Sequence, residues 1–247
     1  VSETGGGSDV AALKTFARKD GDDYIIDGEK MWITNAKQAD FFCTLVNTSN
    51  ESPHKNKSLI LIPASAAGLT IGDKIEKLGQ HTSDTAPIFF DSVRVPQRYC
   101  IGKEGEGFKI QMQHFQEERI FLSASILIVL EKCISKTIEF CQDRHAFGKA
   151  IIENQSIQFR LAELQTEVEA LRALIYQACE NFTLGKDMTY LASMAKLKSG
   201  RLAREVSDTC LQYWGGMGFT WENPVSKIYR DSRVSSIISK INNFCPE

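Results

Sequence analysis

The sequence predicts an α+β fold, in which a β-rich domain is followed by a helical bundle. Before residue 98 the chain contains short strand-like runs, and after it apolar residues recur three or four positions apart. A glycine-rich stretch at 96–107 separates the two patterns. We therefore expect a small barrel or two packed sheets from residues 1–98 and an antiparallel bundle of three or four helices from residues 99–247.

Turn residues divide the first domain into short predicted strands. Asp20-Gly21-Asp22 and Asp27-Gly28 are typical turn sequences. The predicted strands cover residues 14–19, 24–26, 30–34, 41–47, 59–63, 69–71 and 87–95.

Three long helices and a shorter fourth are predicted in the second domain. The first covers 107–144, the third covers 188–213 before Gly215-Gly216, and a fourth can begin at Pro224. The second has a regular apolar seam, formed by Ile157, Leu161, Leu164, Val168, Leu171, Ile175 and Ala178.

An acidic residue interrupts the predicted buried face of the first helix. Helical spacing places on this face Gln111, Phe115, Glu118, Leu122, Ile126, Val129 and Cys133. Burying an unpaired carboxylate costs roughly several kcal/mol, and burial of an acid raises its pKa toward the range useful for a general base. Glu118 is therefore predicted either to pair with a basic residue of a neighbouring helix or to act in catalysis.

Composition excludes several classes of protein. Of the 247 residues 43% are hydrophobic and 24% are charged, which is typical of a globular chain. A net charge of -2 without a dense basic run argues against nucleic-acid binding, and no run of 18 apolar residues predicts a transmembrane segment.

The seven cysteines predict neither a disulfide framework nor a metal site. Their number is odd and no CxxC pair occurs, so a reducing compartment fits best. No signal or transit peptide is visible at the N-terminus of the sequence, and we interpret the chain as a fragment or processed form.

Two segments of the first domain are candidates for binding a planar or anionic ligand. The three glycines within residues 4–9 let a ligand approach the backbone, although a plain turn would also use them. Trp32 and Thr34 are two apart and project to one face of a strand, where they offer a flat ring and a hydroxyl. A core Trp beside a surface Thr is the alternative.

Two segments of the second domain have similar potential. Arg144 to Gly148, followed by Gln155, lies between two helices, and a loop arginine suits a pair of phosphates. The alternative is that Arg144 caps a helix. Residues 212–219 contain three glycines in four positions, which is more than a helix C-cap needs. Exposed backbone at this helix end can bind a ligand or another chain. The alternative is a plain helix cap followed by a turn.

Together and in this order, these segments resemble the acyl-CoA dehydrogenase family of flavoproteins, over residues 1 to about 237. The most specific matches are ETGGGSDV, KMWITNA, RHAFGK with NQSIQFRLAEL, and QYWGGMGF with IYRDSR. The resemblance implies a middle β-barrel domain followed by a C-terminal four-helix bundle, with the family's N-terminal helical domain missing. It also implies FAD as cofactor, acyl-CoA as substrate, electron-transfer flavoprotein as partner, a homodimer or homotetramer, and the mitochondrial matrix as location.

The resemblance assigns roles to individual residues. Those that would contact FAD are Ser2, Ser8, Trp32, Ile33, Thr34, Arg144, Phe147, Gln155, Gln212, Gly215 and Gly216. Of these, the residues from Arg144 onward would reach FAD of a neighbouring subunit. Residues that would contact acyl-CoA are Ser8, Phe115 and Arg119.

The resemblance also bears on the catalytic base for α,β-desaturation. Most members carry it after the last bundle helix, at a position that falls on Ser239 here, and serine cannot serve unaided. Long-chain and isovaleryl members carry it on the first bundle helix before an arginine, as in Glu118-Arg119. Spacing and resemblance therefore agree on Glu118, whereas the tail after Ile237 departs from the family pattern.

Two alternatives stay open beside a dehydrogenase. One is an acyl-CoA oxidase, which passes electrons to oxygen. The other is a truncated, non-catalytic scaffold or assembly protein built on the same fold.

Overall fold

The computed structural model describes residues 1–238, which divide into two compact units. The first unit contains Val1–Lys77 and His81–His114. The second contains Leu78–Gln80 and the residues from Phe115 onward. The first unit is built from strands and the second from helices, which confirms the predicted α+β fold.

The first unit contains one seven-stranded sheet. Its strands are β1 (Phe16–Asp20), β2 (Asp23–Thr34), β3 (Phe41–Asn47), β4 (Lys57–Pro63), β5 (Leu69–Ile71), β6 (Thr85–Pro96) and β7 (Cys100–Ile101). They are ordered β5-β6-β2-β1-β3-β4-β7, and only the β1–β3 pair is parallel among those described. The core of this unit contains Ile26, Val46, Ile60, Ile62 and Val93, all without exposed surface.

The second unit is a helical bundle. Its helices are α1 (Gly107–Asp143, with its first turns in the first unit), α2 (Gln155–Thr183), α3 (Thr189–Tyr213) and α4 (Pro224–Ser232). A hairpin of β8 (His145–Ala146) and β9 (Lys149–Ala150) lies between α1 and α2. Among these helices none combines the length and apolar character needed to cross a membrane.

The predicted apolar seam of α2 is confirmed. Six of its seven positions are buried in the structure, namely Leu161, Leu164, Val168, Leu171, Ile175 and Ala178. The seventh, Ile157, is partly buried and packs against the edge of the same core. Because every seam position is apolar, sequence spacing alone located this face correctly.

The predicted buried face of α1 was wrong in its centre. Glu118, Leu122 and Val129 are only partly buried, whereas Ser123 and Thr137 have no exposed surface. The Ser123 and Thr137 hydroxyls donate to backbone oxygens four residues earlier, over 2.7 and 2.8 Å. A hydroxyl paired in this way can be buried at little cost, so the true face runs through residues that the sequence marks as polar.

The packing of α1 can be tested with two residues of that helix. Leu130 has no exposed surface, so Leu130→Ala should destabilise the protein by about 2–5 kcal/mol. Ile128 is 68% exposed, so Ile128→Ala should change stability by no more than about 0.5 kcal/mol. Urea unfolding followed by circular dichroism measures both, and equal effects would contradict this packing.

Candidate functional site

The segment from Ser2 to Asp9 lies along strand β2. The Met31 amide donates to the Ser2 carbonyl over 2.8 Å, and Glu3 and Gly6 exchange two backbone hydrogen bonds. Gly5 and Gly7 have ordinary φ angles, and a Cβ atom added to either would meet no other described atom within 4 Å. Neither glycine is required by the fold of the described chain, so the open space beside them is available to a ligand.

Trp32 occupies a strained position next to this segment. Its φ is +64°, in the left-handed region, where the β2–β6 register shifts between Lys30 and Ile33. Such strain costs about 1–3 kcal/mol and is typically found at functional sites. The Trp32 side chain is nevertheless 59% exposed, and Thr34 is exposed as well. The strain therefore does not serve core packing, and it presents a flat ring to solvent.

A buried ion pair beneath this segment was missed by sequence reasoning. Lys30 Nζ lies 2.7 Å from Glu3 Oε1, and the two side chains are 2% and 7% exposed. Burial alone would raise the pKa of Glu3, but Lys30 and the surrounding hydrogen-bond donors lower it below its usual value. The signal in the sequence is weak, because Lys30 follows Glu29 in a strand that also contains Asp23 and Asp27.

The hairpin after α1 presents an aromatic ring and an arginine. Phe147 and Gly148 form its two-residue turn, with φ angles of +54° and +81°. The Phe147 side chain is fully exposed, with a relative accessibility of 104%. Arg144 and Gln155 flank the hairpin and are exposed as well. A strained and exposed phenylalanine contributes nothing to the core of its own chain, so it is available to a ligand or a second chain.

The end of α3 lies at the same end of the bundle. The Trp214 ring stacks on Phe140 of α1 with centroids 4.2 Å apart, and its Nε1 donates to Thr137 Oγ1 over 3.2 Å. This contact brings Gln212–Gly216 close to the last turns of α1, which lead into the hairpin.

The structural reason for glycine differs among the three glycines that follow α3. Gly218 permits close packing, since an added Cβ would lie 2.5 Å from the Leu211 carbonyl oxygen. Gly215 has a φ of +55°, which glycine adopts readily. Gly216 has an ordinary φ and open space around its Cα atom in the described chain, as Gly5 and Gly7 do.

Glu118 and Arg119 lie near the other end of α1. Glu118 is partly buried rather than central to the core. Arg119 Nη1 donates to Gln116 Oε1 over 2.9 Å, and Nε is buried without a hydrogen-bond partner among the described residues. Burial lowers the pKa of Arg119, while neighbouring Glu118 opposes this change. A buried donor without a partner costs about 1–3 kcal/mol, so this nitrogen is suited to a ligand acceptor.

Two groups of predicted site residues do not come together within one chain. Phe115, Glu118 and Arg119 are separated from Arg144 by about 38–44 Å along the helix, from 1.5 Å per residue, and Glu118 by about 39 Å. The alternative base position, Ser239, lies outside the described residues.

Lys196 is a second buried cation that sequence reasoning missed. It is 1% exposed and its Nζ donates to the Ser235 carbonyl over 2.6 Å. Burial, and then the nearby charge of Arg119, lower its pKa to about 8. The spacing argument that singled out Glu118 would also have found Lys196, which shares a face with Ala192, Ser199 and Ala203.

Comparison with known families identifies both parts of the chain. Residues 1–93 match the family model described as acyl-CoA dehydrogenase, middle domain. Residues 105–239 match the model described as acyl-CoA dehydrogenase, C-terminal domain.

Curated relatives carry related names. The short/branched chain specific acyl-CoA dehydrogenase, mitochondrial, of Bos taurus is 36% identical over 98% of this chain and 56% of its own length. The cyclohexane-1-carbonyl-CoA dehydrogenase of Geobacter metallireducens is 36% identical over 98% of this chain and 63% of its own length. The chain thus spans little more than half the length of the bovine relative.

Solved structures are similar in backbone as well. The acyl-CoA dehydrogenase of Geobacillus kaustophilus has a TM-score of 0.95 at 37% identity, covering 98% of this chain and 64% of its own. Butyryl-CoA dehydrogenase of Megasphaera elsdenii has a TM-score of 0.94 at 33% identity, covering 98% and 63%. A chain in a structure named for the electron transferring flavoprotein of Acidaminococcus fermentans gives 0.94 at 33%, with the same coverage.

The buried charge of Lys196 predicts a pH-dependent stability difference. Since its pKa is about 8 in the folded protein and 10.5 in its ordinary state, the cost of burying the charge is fully present below pH 8. That cost disappears as the pH rises toward 10.5. Wild type should therefore gain stability relative to Lys196→Met between pH 8 and pH 10.

Urea midpoints at several pH values measure this difference. Lys132→Met, on the exposed side of α1, serves as the control and should follow the wild type throughout. A Lys196→Met difference that stays constant with pH would contradict the assignment of a buried charge.

Proposed function

Because the chain belongs to the acyl-CoA dehydrogenase family, we propose that it is an FAD-dependent enzyme that introduces an α,β double bond into an acyl-CoA thioester. The observation that carries the proposal is the exposed ring of Trp32, held in a strained conformation beside an open glycine segment. A planar ring system is the ligand that such a surface suits.

The proposed FAD contacts form one set in each unit. The first set is Ser2, Ser8, Trp32, Ile33 and Thr34. The second set is Arg144, Phe147, Gln155, Gln212, Gly215 and Gly216. The fit rests on open space at Gly5, Gly7 and Gly216 and on the exposed Arg144, whose guanidinium offers five donors to a diphosphate. FAD, when bound, supplies the acceptor for the hydrogen and electron pair that leave the β-carbon.

Glu118 is the proposed catalytic base. Its carboxylate takes the α-proton, and the electrons of that carbon–hydrogen bond form the new double bond as the β-hydrogen departs with its pair. The α-proton is weakly acidic, so the thioester carbonyl requires hydrogen-bond donors in a site from which water is excluded. Ser8, Phe115 and Arg119 are the proposed acyl-CoA contacts, and the unpaired Arg119 Nε supports a polar contact there.

We propose that the second set of FAD contacts serves a neighbouring copy of the chain. The separation of about 39 Å between Glu118 and Arg144 supports this, because one chain cannot offer both to the same reacting atoms. At least a homodimer follows, and a homotetramer meets the same requirement.

We propose a short or branched acyl group as substrate and electron-transfer flavoprotein as electron acceptor. The names of the bovine and Megasphaera relatives support the acyl group. The flavoprotein for which the Acidaminococcus structure is named supports the acceptor. Activity assays with acyl-CoAs of increasing length test the proposed acyl group. Consumption of oxygen in place of reduction of the flavoprotein would indicate an acyl-CoA oxidase. A mitochondrial matrix location is a further proposal, supported by the name of the bovine relative.

A visible spectrum of the purified protein tests the function directly. A yellow protein whose flavin absorbance is bleached by an acyl-CoA supports a dehydrogenase. A colourless protein that does not take up added FAD would overturn it in favour of the non-catalytic scaffold.

Glu118→Gln should retain FAD and lose substrate bleaching. Removing a general base typically costs about 10²- to 10⁴-fold in rate, because the amide cannot accept the α-proton. Stopped-flow absorbance measures the rate of bleaching. Glu117→Gln, at the exposed neighbouring position, is the matched control and should bleach at the wild-type rate. Wild-type turnover in Glu118→Gln would contradict the assignment of Glu118 as the catalytic base.

Arg144→Ala should weaken FAD retention. A charge-assisted hydrogen bond contributes about 1.5–3 kcal/mol, so affinity should fall by about 10- to 150-fold. Equilibrium titration of the apoprotein with FAD measures this affinity. Lys149→Ala alters a basic residue of the same hairpin and should bind FAD normally. Copurification of Arg144→Ala with full FAD would rule out this role.

A further inference from the structure

The buried carboxylate of Glu3 joins three separate segments. One oxygen, Oε1, accepts from Lys30 Nζ at 2.7 Å, from the Thr15 amide at 3.0 Å and from the Thr15 hydroxyl at 2.6 Å. The other, Oε2, accepts from the Lys14 amide at 2.6 Å. Both oxygens therefore accept hydrogen bonds from the chain itself, and the Glu3 side chain is only 7% exposed, so the carboxylate is shielded from a ligand.

A buried ion pair is weak evidence for stability. Replacing both members by apolar residues is often neutral or stabilising, whereas removing one member leaves a costly unpaired charge. A buried network whose polar groups are hydrogen-bonded instead fixes one arrangement of the segments that it joins. Two of the joined segments are the start of the glycine segment, at Glu3, and the strand that leads into Trp32, at Lys30.

The far end of the glycine segment is held in the same way. Lys57 has no exposed surface, and its Nζ donates to the Ala11 carbonyl over 2.8 Å. Asn47 Nδ2 donates to the Leu13 carbonyl over 2.6 Å. Buried polar contacts therefore hold both ends of the segment, those of Glu3 and Lys30 at one end and those of Lys57 and Asn47 at the other. The open space at its glycines has a fixed position relative to Trp32.

We propose that Glu3 and Lys30 are positioning residues that set the placement of the glycine segment against Trp32, and thereby the affinity and environment of the bound flavin. This inference rests on the proposed function, since it takes FAD to be the ligand of that surface. Both side chains are buried, at 7% and 2% exposed, so both act through the backbone that they hold rather than by contact with the ligand.

The test compares Glu3→Gln, Lys30→Met and the double variant with the wild type. Each single variant should lose stability, because it leaves one buried charge without its counter-charge. The double variant should recover the wild-type urea midpoint yet bind FAD about 10- to 100-fold more weakly, the loss typical when residues that orient binding groups are mutated. Its bound flavin should also fluoresce more strongly, because stacking on Trp32 is impaired.

Recovery of both stability and FAD affinity in the double variant would overturn the inference, because the pair would then only stabilise the fold. Arg94→Met removes exposed ion pairs to Asp20 and Asp23 in the same unit and should change neither quantity.

Failure of the proposed function can be distinguished from failure of the positioning inference. If the wild-type protein binds no FAD, the function is wrong, and positioning is tested by hydrogen exchange at the Gly6 and Met31 amides. These amides donate to Glu3 and Ser2 across the held segment. Faster exchange in the stable double variant supports positioning of the segment, and unchanged exchange overturns it.

Discussion

The length of α1 is the constraint on which the helical unit depends. Its 37 residues extend over about 55 Å, and the fully buried Leu130 near its middle anchors it in the core shared with α2 and α3. A packed helix does not bend enough to bring its ends together. Glu118 near one end and the Phe147 hairpin beyond the other therefore lie far apart in any single chain. This separation supports a site completed by a second copy.

Sequence pattern predicted the helices and strands well where side-chain chemistry was uniform. The α2 seam consists of apolar residues only, and its predicted face was confirmed. The α1 face was misplaced because helical hydroxyls pair with the preceding turn and so enter the core, while Phe121 and Ile128 of that helix are exposed. Hydrophobicity alone does not separate a self-paired serine from a solvated one.

The candidate site shows a similar division. Its glycine clusters, Trp32 and Arg144 were found from residue type, but sequence could not say which glycines the fold itself requires. The structure separates Gly215 and Gly218, explained by backbone angle and close packing, from Gly5, Gly7 and Gly216, which the described chain leaves in open space. The buried pair of Glu3 and Lys30 was out of reach, because nothing local links two residues 27 positions apart. That contact exists only once the segment lies on the sheet.

The hairpin that carries Phe147 has a consequence for the protein in dilute solution. Its two-residue turn is closed by paired strands, and the ring is fully exposed at its tip. If that ring helps to hold the cofactor of a neighbouring copy, cofactor retention obeys mass action between chains as well as between chain and cofactor. Dilution alone would then release the cofactor from chains that remain folded. The amount bound would depend on how crowded the chains are, and the colour of the protein would report its assembly.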